Sequence, residues 1–327
     1  MNRKSLSVSF VALAALVLVA FPALAAKDDA LSLVPANAVT VGLIKLNDLR
    51  SSPLSSMLLQ HTDKMSSDGE AQKFLSDAGL SPLKDIDVLV VATSPQAALS
   101  SQADVVAIAE GRFNVERLTN ALVAHGAVRK DGYLMLPNDN GGDHQNGAVA
   151  FPSASLAIAG NERAVVAALA ARAAGGTGFR GRSGLGMELG RVDPNASAWA
   201  LVDVTRAQRL ANGGGHINTG KGQSGEALQA ALKSITTVAV WATDTGDALQ
   251  LGAIGLSTDT ETLALLEDTV RGALSALRLA VKDKSPEMVS VLRRFDVTRK
   301  SDSIRIEGSV PASSLRDLMA KKSASND

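Results

Sequence analysis

Ser81 and Lys84, in Ser81-Pro82-Leu83-Lys84, stand at the spacing that lets a lysine amine take the proton of a serine nucleophile one helical turn away. Such a pair would support acyl transfer, but the Ser-Asp-Asn and Lys-Thr-Gly motifs that accompany it are missing downstream. A helix cap at Ser81, with Pro82 at the first helical position, accounts for the same residues without chemistry. Gly215-His216-Ile217-Asn218-Thr219-Gly220-Lys221-Gly222 nearly spells a phosphate-binding loop, with Gly222 where a magnesium-holding hydroxyl belongs. Gly181-Arg182-Ser183-Gly184 lacks the glycine spacing of a lipase-type nucleophile elbow.

Metal chemistry has as little to build on. Asn138, Asp139, Asn140 and Asp143 bring oxygen ligands close together, which makes Asp139 and Asp143 candidates for calcium, yet the EF-hand order with its distal glutamate is not met. His61, His125, His144 and His216 are scattered singly, in no arrangement that would set two ligands on one helical face. His125, just before Gly126, reads as a favourable charge at a helix C-terminus. Thiolate chemistry is excluded, because the chain has no cysteine. No catalytic constellation, metal site or cofactor is expected.

The N-terminus says where the protein works. Arg3 and Lys4 lead an apolar run from Leu6 to Leu24, and Ala23-Leu24-Ala25 is the small-x-small pattern of a signal-peptidase site. Cleavage between Ala25 and Ala26 predicts a mature protein outside the cytoplasm, periplasmic or secreted. The rival reading is an uncleaved anchor, since the run approaches the roughly 20 apolar residues of a spanning helix. Membrane contact is expected through this segment alone, if it is retained.

Removing the signal shifts the formal charge from 33 minus 33 to 31 minus 33, or −2. A near-neutral chain has no general field to hold nucleic acid. Aromatic residues are 3% of the sequence, with Trp199, Trp241 and Tyr133 the only residues of their two types, so base-stacking platforms are scarce. Without disulfides, stability must come from core packing, and the length favours two domains.

The elements that would carry any site recur along the chain. Val34-Pro35-Ala36-Asn37-Ala38 leads into a strand over Val39 to Leu46, and Val192-Asp193-Pro194-Asn195-Ala196 into one over Ala198 to Val204. Strands ending Ala92-Thr93 and Ala242-Thr243 come next, then Asp104 to Gly111 and Ala248 to Leu256. A helix capped by Asn114 follows the first set, and one with a Thr258/Glu261 capping box, over Thr260 to Val281, the second. The hairpin at Asp131-Gly132 matches the one at Ser301-Asp302.

This order predicts an α+β fold of two repeated domains, each a mainly antiparallel sheet covered by helices on one face. A signal peptide over 1–25 precedes repeats over 26–180 and 191–327. The boundary falls in the glycine-rich stretch Gly175 to Gly190, with 181–190 as linker. Two polar loops, Asn138 to Gly147 and Asn212 to Gly225, are candidate lids or binding loops.

Leu33-Val34-Pro35-Ala36-Asn37-Ala38, Val41-Gly42-Leu43-Ile44 and Leu49-Arg50-Ser51-Ser52-Pro53-Leu54 resemble the start of a group of uncharacterised exported bacterial proteins with a signal peptide and a duplicated α+β body. The resemblance implies an extracytoplasmic role and brings no site residues. The sequence reads as an exported non-enzymatic binding or interaction protein of the cell envelope, its partner an envelope protein or a small apolar ligand. The alternatives are a periplasmic hydrolase using carboxylates or Ser81 with Lys84, and a carrier of a lipid or other apolar ligand.

Overall fold

The computed structural model describes residues 29–52, 69–97, 102–137, 146–181, 183–211, 234–282 and 285–317. Ala25, Ala26, Asp139, Asp143 and the loop from Asn212 to Gly225 lie outside the described residues. Among those described, no helix is long and apolar enough to cross a membrane.

In chain order the elements are α1 (Asp29–Ser32), β1 (Thr40–Lys45), α2 (Leu46–Ser51), α3 (Gly69–Ala78), α4 (Pro82–Asp85), β2 (Ile86–Pro95), β3 (Ala103–Gly111) and α5 (Val115–Ala124). Then come β4 (Val128–Arg129), β5 (Leu134–Met135), β6 (Gly147–Ser153), β7 (Leu156–Asn161) and α6 (Glu162–Ala173). Past two 3₁₀ turns, Gly178–Gly181 and Gly184–Arg191, follow β8 (Ala198–Asp203), α7 (Val204–Ala211), β9 (Thr237–Asp244), β10 (Ala248–Leu256), α8 (Thr260–Val281), α9 (Pro286–Leu292), β11 (Asp296–Arg299) and β12 (Ser303–Pro311).

The fold is α+β, and its antiparallel strands join in one twelve-stranded sheet of order β11-β12-β10-β9-β8-β1-β2-β3-β7-β6-β5-β4. Strands of the two sequence halves meet where β1 pairs with β8. Gly42 stands opposite Ala200, flanked by Val41 opposite Leu201 and Leu43 opposite Trp199. The register is symmetric about the Gly42–Ala200 pair, an offset of 200 − 42 = 158 residues. The same offset separates the turns feeding these strands, where Ala38 N–H donates to Pro35 and Ala196 N–H to Asp193.

Outward from this seam the halves correspond strand by strand. By place in the sheet, however, the counterpart of β11–β12 is β6–β7, since β7 pairs with β3 as β12 pairs with β10. The expected match of the Asp131-Gly132 hairpin to Ser301-Asp302 is thereby corrected. That hairpin is β4–β5, which pairs only at the outer edge, on β6. A tight turn between alternating residues looks alike wherever its strands dock.

Strand alternation divides the core between two faces. One face carries Val41, Leu43, Val90, Ile108, Ile158, Trp199 and Leu201, covered by α1, by Val165 and Ala168 of α6, and by Phe179 and Leu185 of the 3₁₀ turns. On the other, Leu118 and Leu122 of α5 pack with Phe74 of α3 and Val149 of β6, while Leu263 and Leu266 of α8 pack on Val297 and Ile304. Helical cover is thus shared between the faces. The glycine-rich stretch is packed as well: Phe179 is fully buried, and Gly178, at φ +47°, lies so close to the Ser32 and Val34 carbonyls that a Cβ would strike them.

Helix ends follow local chemistry. The Asn114 side chain accepts from Arg117 N–H, as the sequence predicts, and His125 caps the other end of α5 before Gly126 at φ +92°. At α8 the cap is Asp259 and not Thr258: its carboxylate accepts from the N–H groups of Glu261 and Thr262. Asp and Thr are both good caps, and the carboxylate adds charge at the positive end of the helix.

Candidate functional site

The strands near the seam leave a trough on the second face. Ala198 and Ala200 of β8, Val240 and Ala242 of β9, and Leu251 and Ala253 of β10 form its floor, with Ile44 of β1, Ile306 of β12 and Phe295 at its margins. Its hollow measures about 400 Å³, is open to solvent and is overwhelmingly apolar. Small side chains on the central strands, flanked by large ones, make the hollow. Val240 is 43% exposed on its floor, a large apolar group that a packed core would cover. Trp199 and Trp241 border the trough through their main chain, because alternation sends their rings to the opposite face.

Those rings stiffen the floor from behind. Trp199 stacks on Phe179 with centroids 6.5 Å apart, and the Arg305 guanidinium lies 4.8 Å from the Trp241 ring centroid. Gly252 of β10 lies under the Trp241 indole, where any Cβ would overlap the ring. Gly308 of β12 holds the same relation to the Phe295 ring on the trough side.

A cluster of buried polar groups lies on the helix that follows Ile44. Helix α2 follows β1 without a loop, and its Leu46 and Leu49 pack with Ile44, Ala198 and Leu249. Between these leucines Asp48 is 1% exposed, and neither of its carboxylate oxygens has a hydrogen-bond partner. Among the described residues the buried side-chain atoms left unpaired are Asn47 Oδ1, both Asp48 oxygens, Arg50 Nε and Ser197 Oγ. Four of these five belong to α2, and Ser197 adjoins it, its carbonyl accepting from Lys45 N–H at 2.9 Å.

Burial pushes the Asp48 carboxyl up to about 7; Asp244 adds to the rise, while Lys45 and Arg50 hold it down. Burial likewise lowers the Lys45 ammonium, which Asp48 and Asp193 draw back up. Several neighbouring polar groups are paired: Ser52 donates to Asp244, Thr243 to Asp193 at 3.3 Å, and Arg50 Nη2 to Asp87 at 2.6 Å. No three carboxylate or histidine groups among the described residues are arranged to hold a metal ion.

The residues singled out for chemistry lie elsewhere. Ser81 caps α4, with Pro82 at the first helical position, and its own N–H donates to Asp85 at 2.7 Å. Lys84 is exposed on that turn, and its backbone N–H donates to the Ser81 carbonyl at 2.8 Å, the bond of a helix start and not one between amine and hydroxyl. Sequence reasoning passed over Asp48 and the alanines of the trough. Asp48 looks like any acidic residue in a first helical turn; the one hint is Leu46 and Leu49 directly after a strand, which turns this helix toward the core.

No family model matches the sequence, and no curated protein does. Solved structures of TP0453 align over most of both chains. Crystal form I gives a TM-score of 0.44 at 9% identity, covering 90% of this chain and 98% of that one. Crystal form III gives 0.45 at 10%, covering 93% and 99%. Likeness at this level transfers no site or activity, so function is argued from the trough itself.

Proposed function

We propose that this is an exported, non-enzymatic binding protein, periplasmic or secreted, that takes a small apolar molecule in the trough over β8, β9 and β10. The trough carries the reading: about 400 Å³ of apolar hollow lies within the range of roughly 300–1,000 Å³ typical of small-molecule sites. A hollow of that size suits a single chain or compact apolar body better than a helix about 10 Å across. Export is supported by the Arg3 to Ala25 segment and by the resemblance of the chain's start to exported proteins. The carrier role, an alternative at the level of sequence, thereby joins the binding reading.

The test is native mass spectrometry of the protein exported under its own signal and gently purified, beside titration with the neutral fluorophore N-phenyl-1-naphthylamine. A co-purifying small mass, or saturable probe uptake that is lost in Val240→Glu, is expected. Val240 is solvent-accessible, so this variant puts a charge on the trough floor while leaving the core intact. A bare mass together with no probe uptake by the unaltered protein would overturn the reading.

A further inference from the structure

We infer that the distal half of α8 is a self-association surface, on which a second copy of this chain lays its own α8 antiparallel. The inference is independent of the trough. α8 runs for 22 residues, whereas α5, which follows β3 as α8 follows β10, runs for 10. The sheet uses the first part of each: Leu263 and Leu266 are buried on α8 as Leu118 and Leu122 are on α5, and no residue of α8 after Leu266 is buried. In that added length Gly272, Ala273, Ala276, Leu279 and Ala280 are all exposed, Leu279 at 72%. Their spacing sets them on one face, opposite the Val270 and Leu274 that pack toward Val297 and Ile304. Glycine at mid-helix weakens a helix relative to alanine, and nothing of this chain lies within 4 Å of where a Gly272 Cβ would stand. The monomer has no use for the missing side chain; a second backbone approaching this face does.

Charge selects the occupant and its direction. Asp268 and Lys282 are exposed at the two ends of the face, 282 − 268 = 14 residues apart, close to four whole turns and so on one side of the helix. Neither joins an ion pair among the described residues, while Glu267 between them is taken by Arg271 and Arg299. An antiparallel pair with its two-fold axis at the midpoint, (268 + 282)/2 = 275, brings each Asp268 to the partner's Lys282. The same register lays Leu279 beside the partner's Gly272, where no side chain obstructs it. A parallel pair would set Asp268 against its own copy. An anionic membrane fits poorly, because Arg271 is held to the Val297 carbonyl and Arg278 to the Leu292 carbonyl, on the side of α8 that faces β11 and α9. The overlap spans residues 269–281, 13 a side against the roughly 20–30 of a standard interface, so the dimer is weak and reversible.

The experiment is sedimentation velocity of the mature protein from about 10 µM to about 500 µM, beside oxidative cross-linking of single-cysteine variants in a chain that has no cysteine of its own. The average mass should rise toward that of a dimer across this range. Gly272→Leu, which meets nothing in the monomer, should weaken association about tenfold. Asp268→Lys should weaken it about fivefold, since symmetry counts the pair twice, and adding Lys282→Asp should restore it. Ala276→Cys, next to the axis, should give a disulfide-linked dimer, while Leu265→Cys, about 30 Å from its partner's copy in this register, should not. A protein still monomeric at the highest concentration, a dimer indifferent to Gly272→Leu and to the charge exchange, or ready cross-linking through Leu265→Cys would overturn the inference. So would a monomer that floats with phosphatidylglycerol vesicles and loses them on Leu279→Glu.

Discussion

Replacing Asp48 by Asn should make the protein more stable at alkaline pH and leave it nearly unchanged in acid. The carboxyl moves from its ordinary 3.8 to about 7 on folding, a difference of 7 − 3.8 = 3.2. Below 3.8 the group is protonated folded and unfolded, and it costs nothing. Between 3.8 and 7 the unfolded chain releases the proton while the native state keeps it, so stability falls as pH rises, and above 7 the loss is complete. At about 1.4 kcal/mol per unit the full loss is about 4 kcal/mol, an upper limit because water admitted beside α2 relieves part of it. Asn keeps the shape of the neutral acid and does not titrate.

Urea unfolding followed by tryptophan fluorescence, at several values between about pH 4 and about pH 8.5, measures the gap between the two proteins. It should widen from near zero to about 3–4 kcal/mol, on the order of 5 °C in Tm for a chain of this size. Taking the difference cancels the carboxylates that titrate in the opposite sense, such as Glu267, held low by Arg299, and Asp259, held low by Thr262. A gap independent of pH would mean that Asp48 is solvated in the native state and that its burial has been misjudged.

Two further outcomes follow from the trough and its support. Gly252→Ala should cost about 1–3 kcal/mol, because the new Cβ must displace an indole held between the strand and Arg305; a Tm and a tryptophan emission spectrum unchanged from the unaltered protein would contradict this packing. Uncharged unbranched ligands of increasing length should bind about fourfold more tightly per added methylene, near 0.8 kcal/mol each, until the trough is full. A calorimetric series with no such gradient and plateau would contradict a single apolar site of this size.

Local structure was legible where local rules act. β10 runs over Ala248–Leu256 and α8 over Thr260–Val281, as their periodicities predict, because alternation and a 3.6-residue repeat are written within each segment. What joins segments was not. The β1–β8 pairing depends on two open strand edges finding each other, and nothing in Thr40–Lys45 specifies its second neighbour. The trough is a sum over separate strands, and each alanine taken alone reads as ordinary core. Asp48 required both: only the strand-to-helix junction at Lys45, set against β9, turns an acidic first-turn residue inward. Ser81 and Lys84 failed in the other direction, a spacing that suits catalysis and here serves a helix start.

The seam also sets a schedule for the chain's birth. β1 can find β2 as soon as that strand is made, but its other edge must wait for β8, 200 − 42 = 158 residues later along the central pair. During that wait, an edge bearing Val41, Leu43 and Ile44 is open to any extended stranger. Until β8 pairs there, the first half keeps an unsatisfied strand edge, and the arrival of β8 closes it.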